Sequence, residues 1–154
     1  YTVQRSTTQV WETDGQDTPV TVSVSEQSTE GLGLRAWQTV RGLTTSSVTV
    51  LDGSGGRTVT ATAPDGTVTT QVFSNDLLQS TIVAHPSLGT LASASYAYDP
   101  HGRLTTSSLL APDSSLLPTT YTYFDDDQLH TTTTPDPDPA RSGPGHDPQT
   151  TTQP

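Results

Sequence analysis

The stretch "YAYDPHGRL", residues 96–104, decides how this chain folds. Tyr96 and Tyr98 alternate with a small residue, as they would on one face of a strand. Asp99, Pro100, His101 and Gly102 then fill the four positions of a type I turn. An aspartate caps the backbone ahead, proline presets φ, a tolerant residue follows, and glycine accepts positive φ. Arg103 and Leu104 open the returning strand, so the segment reads as a β-hairpin with a glycine bulge. His101 is then an exposed tip, and Asp99, His101 and Arg103 are parts of a turn rather than a catalytic group.

The pattern recurs. "ASYAYDPHGRLTTSS" at 94–108 aligns with "TTYTYFDDDQLHTTT" at 119–133 at an offset of 25 residues, placing Tyr121 on Tyr96, Tyr123 on Tyr98 and Leu129 on Leu104. The second copy carries Phe124, Asp127 and Gln128 where the first has Asp99, Gly102 and Arg103. Fainter copies upstream put Phe73, Val50 and Val24 in the place of Tyr98 at steps of 25, 23 and 26. Internal recurrence at this pitch is the mark of a repeat architecture, with two short strands and two turns in each unit.

Turn chemistry extends the scheme along the chain: "DGSGG" near 54, "APDG" near 65, "SND" near 75, "HPSLG" near 87, "APDSS" near 113 and "DDD" near 126. Between turns, apolar residues alternate with Thr or Ser at Val20, Val22 and Val24, at Val48 and Val50, and at Val59, Ala61 and Ala63. Short strands at regular spacing predict an antiparallel meander. One face is expected to be apolar and the other rich in hydroxyls. No window has a 3.6-residue period. The fold class is therefore all-β, a meander of hairpin repeats of about 25 residues forming an extended, curved or spiralling sheet. Residues 1–134 form the repeat segment. Residues 135–154, with so many prolines, read either as a disordered tail or as a long turn leading from "TTTT" to a strand in "QTTTQ".

Composition limits function. Only 29% of the 154 residues are apolar, so any core is thin. The net charge of -10, with no lysine at all, argues against nucleic acid as a partner. No run approaches the roughly 20 apolar residues of a membrane helix, and the opening "YTVQRSTTQV" lacks the features of a signal peptide. The expectation is either a cytosolic chain or an excerpt, and the excerpt is favoured because Tyr1 begins inside what reads as a strand. Without cysteine there is neither a disulfide nor a thiolate metal site.

His85, His101, His130 and His146 have no metal-ligand spacing, and "DDD" at 125–127 lacks the pattern of a calcium loop. No Gly-x-Ser-x-Gly elbow is present, and "GSGG" at 53–56 leads into strand-like sequence without the lysine of a phosphate loop. No cofactor, metal or catalytic role is expected. Trp11, Trp37, Tyr96, Tyr98, Tyr121 and Tyr123 could stack on sugars, although tyrosines in cross-strand positions usually pack on neighbouring strands.

Tyr-x-Tyr-Asp-x-x-Gly-Arg-Leu, carried by Tyr96, Tyr98, Asp99, Gly102, Arg103 and Leu104 and followed by Thr and Ser, resembles the RHS/YD-repeat family. The resemblance implies a large secreted or surface-exposed protein, often bacterial, whose non-catalytic repeats form a sheet spiralling into a hollow shell. Such a shell encloses a C-terminal toxin or effector, and in animal teneurins a similar barrel supports adhesion. This chain would be a slice of the wall, with flanking repeats of the same polypeptide as its first partners. Shells of this family that enclose a toxin end in a self-cleaving region containing Asp-Pro-x-Gly. Here "DPHG" falls inside a repeat turn, without the accompanying second motif. The alternative expectation is a standalone β-sandwich that serves as an adhesive or carbohydrate-binding module.

Overall fold

A computed structural model of the chain describes residues 2–11, 18–31, 34–111, 115–136 and 148–153. Twelve strands form one sheet in sequential order, every neighbouring pair antiparallel. They are β1 (Val3–Val10), β2 (Val20–Ser28), β3 (Arg35–Val40), β4 (Leu43–Leu51), β5 (Gly56–Thr62) and β6 (Val68–Ser74). β7 (Leu77–His85), β8 (Gly89–Tyr98), β9 (Leu104–Leu110), β10 (Leu116–Tyr123), β11 (Leu129–Thr134) and β12 (Gln149–Thr152) follow. There is no helix among the described residues, and the sheet does not close on itself.

Among the described residues the two-sheet sandwich of the alternative expectation is absent: the twelve strands belong to one sheet. Gln149–Thr152 pairs with β11 through Thr131↔Thr152 to Thr134↔Gln149. Residues 137–147 of the proline-rich stretch, with His146, lie outside the described residues.

The strands stop where the turn residues require it. Arg41 (φ 50°) with Gly42 (φ 81°), and Asn75 (φ 49°) with Asp76 (φ 63°), form two-residue connections with both central residues left-handed. That geometry matches the twist of the strands they join. At Asp99, the Gly102 N–H donates to the Asp99 carbonyl at 2.9 Å and the Asp99 N–H to the Arg103 carbonyl at 3.0 Å. This is the predicted type I turn with its glycine bulge, Gly102 standing at φ 80°. The same two bonds recur at Ala63–Thr67 and at Phe124–Gln128. In the last of these, Asp127 takes the left-handed position at φ 69°.

Pairing across the sheet corrects one expectation. Val48 pairs with Thr60 and Val50 with Thr58, whereas Val59 pairs with Thr49. Val48 and Val50 therefore stand on the face opposite Val59 and Ala61. Followed strand by strand, Tyr96 and Tyr121 share the face of Val59, which we call the tyrosine face. Val50, Val72, Ile82 and Leu116 share the other, the threonine face, with most of the cross-strand threonine pairs. Apolar residues are thus divided between both faces, because alternation within a strand does not fix parity across a turn.

A single layer leaves nothing to bury. Among the described residues no hydrophobic side chain is buried, and Ser28 is the one buried polar side chain, its hydroxyl accepting from the Arg35 N–H at 3.1 Å. The accessible surface is 10567 Å², against about 7,500 Å² for a compact monomer of this mass. Cohesion comes from the backbone ladder and from lateral side-chain pairs such as Thr39–Thr44, Thr122–Thr131 and Thr133–Thr150, whose hydroxyls lie 2.6 to 3.0 Å apart.

The repeat clasp as candidate functional site

The residues singled out in the sequence converge along one edge of the sheet, where the β4–β5, β6–β7, β8–β9 and β10–β11 turns lie side by side. Three consecutive units share one arrangement. Phe73 pairs with Leu78, Tyr98 with Leu104 and Tyr123 with Leu129, and in each case the register shifts immediately before the aromatic residue. A bulge at the same point of every unit turns the strand and aims the ring along the sheet. The earlier steps do not keep this arrangement: Val50 pairs with Thr58 without a shift and Val24 pairs with Thr39 in mid-strand.

The tyrosine hydroxyls complete the joint between units. Tyr98 Oη donates to the Leu78 carbonyl and Tyr123 Oη to the Leu104 carbonyl, both at 2.8 Å. The β7–β8 ladder ends at Ser80↔Ser95 and the β9–β10 ladder at Thr106↔Thr120, so both carbonyls lie beyond the last backbone pair. A carbonyl left without a partner is costly wherever water is restricted, and the phenol supplies one. Phe73 has no hydroxyl, and beside it the β5–β6 ladder runs on to Gly56↔Ser74. Tyr121 Oη lies 3.3 Å from Ser107 Oγ, and Tyr96 pairs with Ser107.

Arg103 joins two turns. Its N–H and Nε donate to Oδ1 and Oδ2 of Asp99 at 2.9 and 2.7 Å. Its Nη1 reaches Asp127 Oδ1 of the next unit at 2.6 Å, and its guanidinium lies 4.8 Å from the centre of the Tyr123 ring. Arg57 repeats the design, with its guanidinium 4.2 Å from the Phe73 ring centre and Nη1 paired with Asp76. Each arginine thus uses its planar fork and its stacking face together, which a lysine could not do.

The electrostatics follow. Desolvation raises the Asp99 pKa, but donation from the Arg103 N–H and guanidinium and from the His101 N–H outweighs it, and the carboxyl sits below its ordinary value. The Asp99 hydrogen bonds in turn push the Arg103 pKa up. Asp52 is lowered by the N–H groups of Ser54 and Gly56, and Asp65 by that of Thr67.

The three described histidines do not converge. His101 is exposed at its turn, and His130 lies against the Phe124 ring with centroids 4.2 Å apart. His85 is on the opposite edge, its Nδ1 accepting from the Ser87 N–H and its Nε2 facing the Asp65 carbonyl, both at 3.2 Å. Among the described residues no group of three or more His, Asp or Glu side chains is placed to hold a metal ion. Nor do the aromatics form one platform, since Trp37, paired with Ser46, stands on the threonine face away from the tyrosines. The links Arg103–Asp127 and Arg57–Asp76 escape sequence reading. The Gly-Arg dipeptides at 56–57 and 102–103 are the only signal for them.

No model of a known protein family matches the chain, and no curated protein matches it.

Proposed function

We propose that this chain is a structural repeat segment of a large secreted or cell-surface protein of the RHS/YD-repeat kind. In this reading it forms part of a β-shell that encloses or displays a toxin or effector region. The observation that carries the reading is the recurrence of the clasp, Phe73–Leu78, Tyr98–Leu104 and Tyr123–Leu129, each with its bulge. A joint that links successive units from Phe73 onward builds a sheet that can be lengthened unit by unit, which suits a wall. That no hydrophobic side chain is buried among the described residues supports it too, because a wall is one layer thick and relies on lateral pairing.

The mechanism is mechanical exclusion. Backbone ladders and clasps hold the layer, the turns carry the charge, and the layer separates one polypeptide region from its surroundings. The partners are flanking repeats of the same polypeptide and an enclosed C-terminal region, and no reaction is assigned to the repeats. The test is the coding sequence on either side. Further units at a pitch of about 25 residues, with an aromatic before each turn and a leucine after it, are expected on at least one side. Their absence on both sides overturns the reading.

A further inference from the structure

The opposite edge of the sheet has a fastener of its own. Asp65 lies in the turn that joins β5 to β6, and His85 closes β7 and begins the turn that leads to β8. The β7–β8 ladder shifts register between Val83 and Ala84 and ends at His85↔Gly89. Pro86, Ser87 and Leu88 form the loop, with the Leu88 N–H donating to the His85 carbonyl at 3.2 Å and Gly89 left-handed at φ 74°. A hairpin loop of this length takes that form readily, a turn followed by a left-handed glycine. Pro86 lies over the neighbouring turn, its Cγ 3.6 Å from where a Cβ on Gly66 would stand.

His85 ties the two turns together through its ring. The Ser87 N–H donates to Nδ1, and Nε2 faces the Asp65 carbonyl, both at 3.2 Å. A backbone N–H can only donate, so Nδ1 must keep its lone pair. A carbonyl can only accept, so Nε2 must carry the proton. The two contacts together fix a neutral ring with its hydrogen on Nε2. Protonation adds a hydrogen at Nδ1, where it meets the hydrogen of the Ser87 N–H, and leaves the Nε2–H on Asp65 as it was.

We propose that His85 is a pH-operated latch on the β7–β8 turn: neutral, it holds the Ser87 N–H, and protonated, it releases that N–H while staying on the β5–β6 turn. Histidine is the side chain whose charge changes between about pH 5 and 8. Few other charges bear on the ring. β6 and β8, which flank β7, contain no Asp, Glu, Lys, Arg or His, and the tyrosines of β8 stand toward its far end. Among the described residues Asp65 is the charged group that faces His85, and its Oδ1 accepts from the Thr67 N–H at 2.9 Å. The two edges of the sheet then differ in kind. Arg103 keeps its charge throughout this range, so the first edge is fixed where the second can be loosened. The inference does not rest on the shell reading.

The experiment is nitrogen NMR of the chain labelled in its histidines, with amide exchange followed from about pH 8 to about pH 5 and corrected for intrinsic rates. At the upper end Nδ1 of His85 is expected to be the unprotonated nitrogen. As the ring takes its proton, Ser87 should lose protection about fivefold, the equivalent of one ordinary hydrogen bond, while Thr67 stays unchanged. His85→Asn supplies a carbonyl that accepts the N–H two residues on and does not titrate, so Ser87 should stay protected at both ends of the range. His85→Phe should leave it unprotected at both. A neutral ring with its proton on Nδ1, a Ser87 amide indifferent to the ring's charge, a step that persists in His85→Asn, or Ser87 and Thr67 released together overturns the inference.

Discussion

Tyr123 Oη donates to the carbonyl of Leu104 at 2.8 Å, across the point where the β9–β10 ladder has already ended, and Tyr98 does the same for Leu78. One phenol per unit thus replaces a missing backbone pair. Tyr123→Phe and Tyr98→Phe should each cost about 1 kcal/mol, seen as roughly fivefold faster hydrogen exchange in the strands either side of the joint. Phe73→Tyr should gain no comparable protection, because its ladder already reaches Gly56↔Ser74. Equal effects at all three positions would remove the hydroxyl from the account.

Arg103 spans two turns, and its loss should be felt in both. Arg103→Gln is expected to speed exchange at Asp127 and Gln128 as well as at Gly102, while the Ala63–Thr67 turn, which it does not touch, stays unchanged. Asp127→Asn keeps a side chain that tolerates the left-handed backbone and removes the charge. It should reproduce only the effect on the 124–128 turn. If Arg103→Gln disturbs its own turn alone, the link between units is not structural.

At the tip, Gly102 and His101 should behave oppositely. A Cβ at Gly102 would meet nothing nearer than Leu77 Cδ1 at 3.9 Å, so the cost of Gly102→Val lies in its φ of 80° rather than in a clash. That cost is about 1–3 kcal/mol. His101→Ala should stay within about 0.5 kcal/mol. Chemical denaturation of the two variants under one set of conditions separates them.

Acid should loosen the turns in a defined window. Asp52, Asp65 and Asp99 all have folded-state pKa values below the ordinary 3.8. The stability they contribute is therefore complete above the unfolded-state value and is lost as pH falls through the lowered folded-state values. Exchange at Gly56, Thr67 and Arg103, whose N–H groups these carboxylates accept, should be insensitive to this effect at neutral pH. After correction for intrinsic rates, protection should fall only below about pH 4. Loss of protection between pH 5 and 7 would point to a histidine instead.

Much of this was legible in the sequence because turns carry their own chemistry. Asp99-Pro100-His101-Gly102 and Ala63-Pro64-Asp65-Gly66 specify their connections locally, and the step from Tyr98 to Tyr123 specifies the unit. What could not be read was lateral. Whether Val50 shares a face with Val59 depends on how many residues the 52–55 turn contains and which of them pair, and one residue of slip inverts the answer. The Arg103–Asp127 link likewise joins residues whose proximity exists only once neighbouring hairpins are in register. The sandwich alternative expected two layers, whereas the described strands form one, in which no hydrophobic side chain is buried.

The central claim is that this layer is not self-sufficient: without a buried hydrophobic side chain, its order depends on whatever lies against it. Thermal unfolding of the 154-residue chain, followed by circular dichroism across a wide concentration range with sedimentation in parallel, tests this most directly. A broad transition for the monomer is predicted, sharpening and rising with concentration as chains associate. A sharp, concentration-independent transition from a species that sediments as a monomer would contradict it.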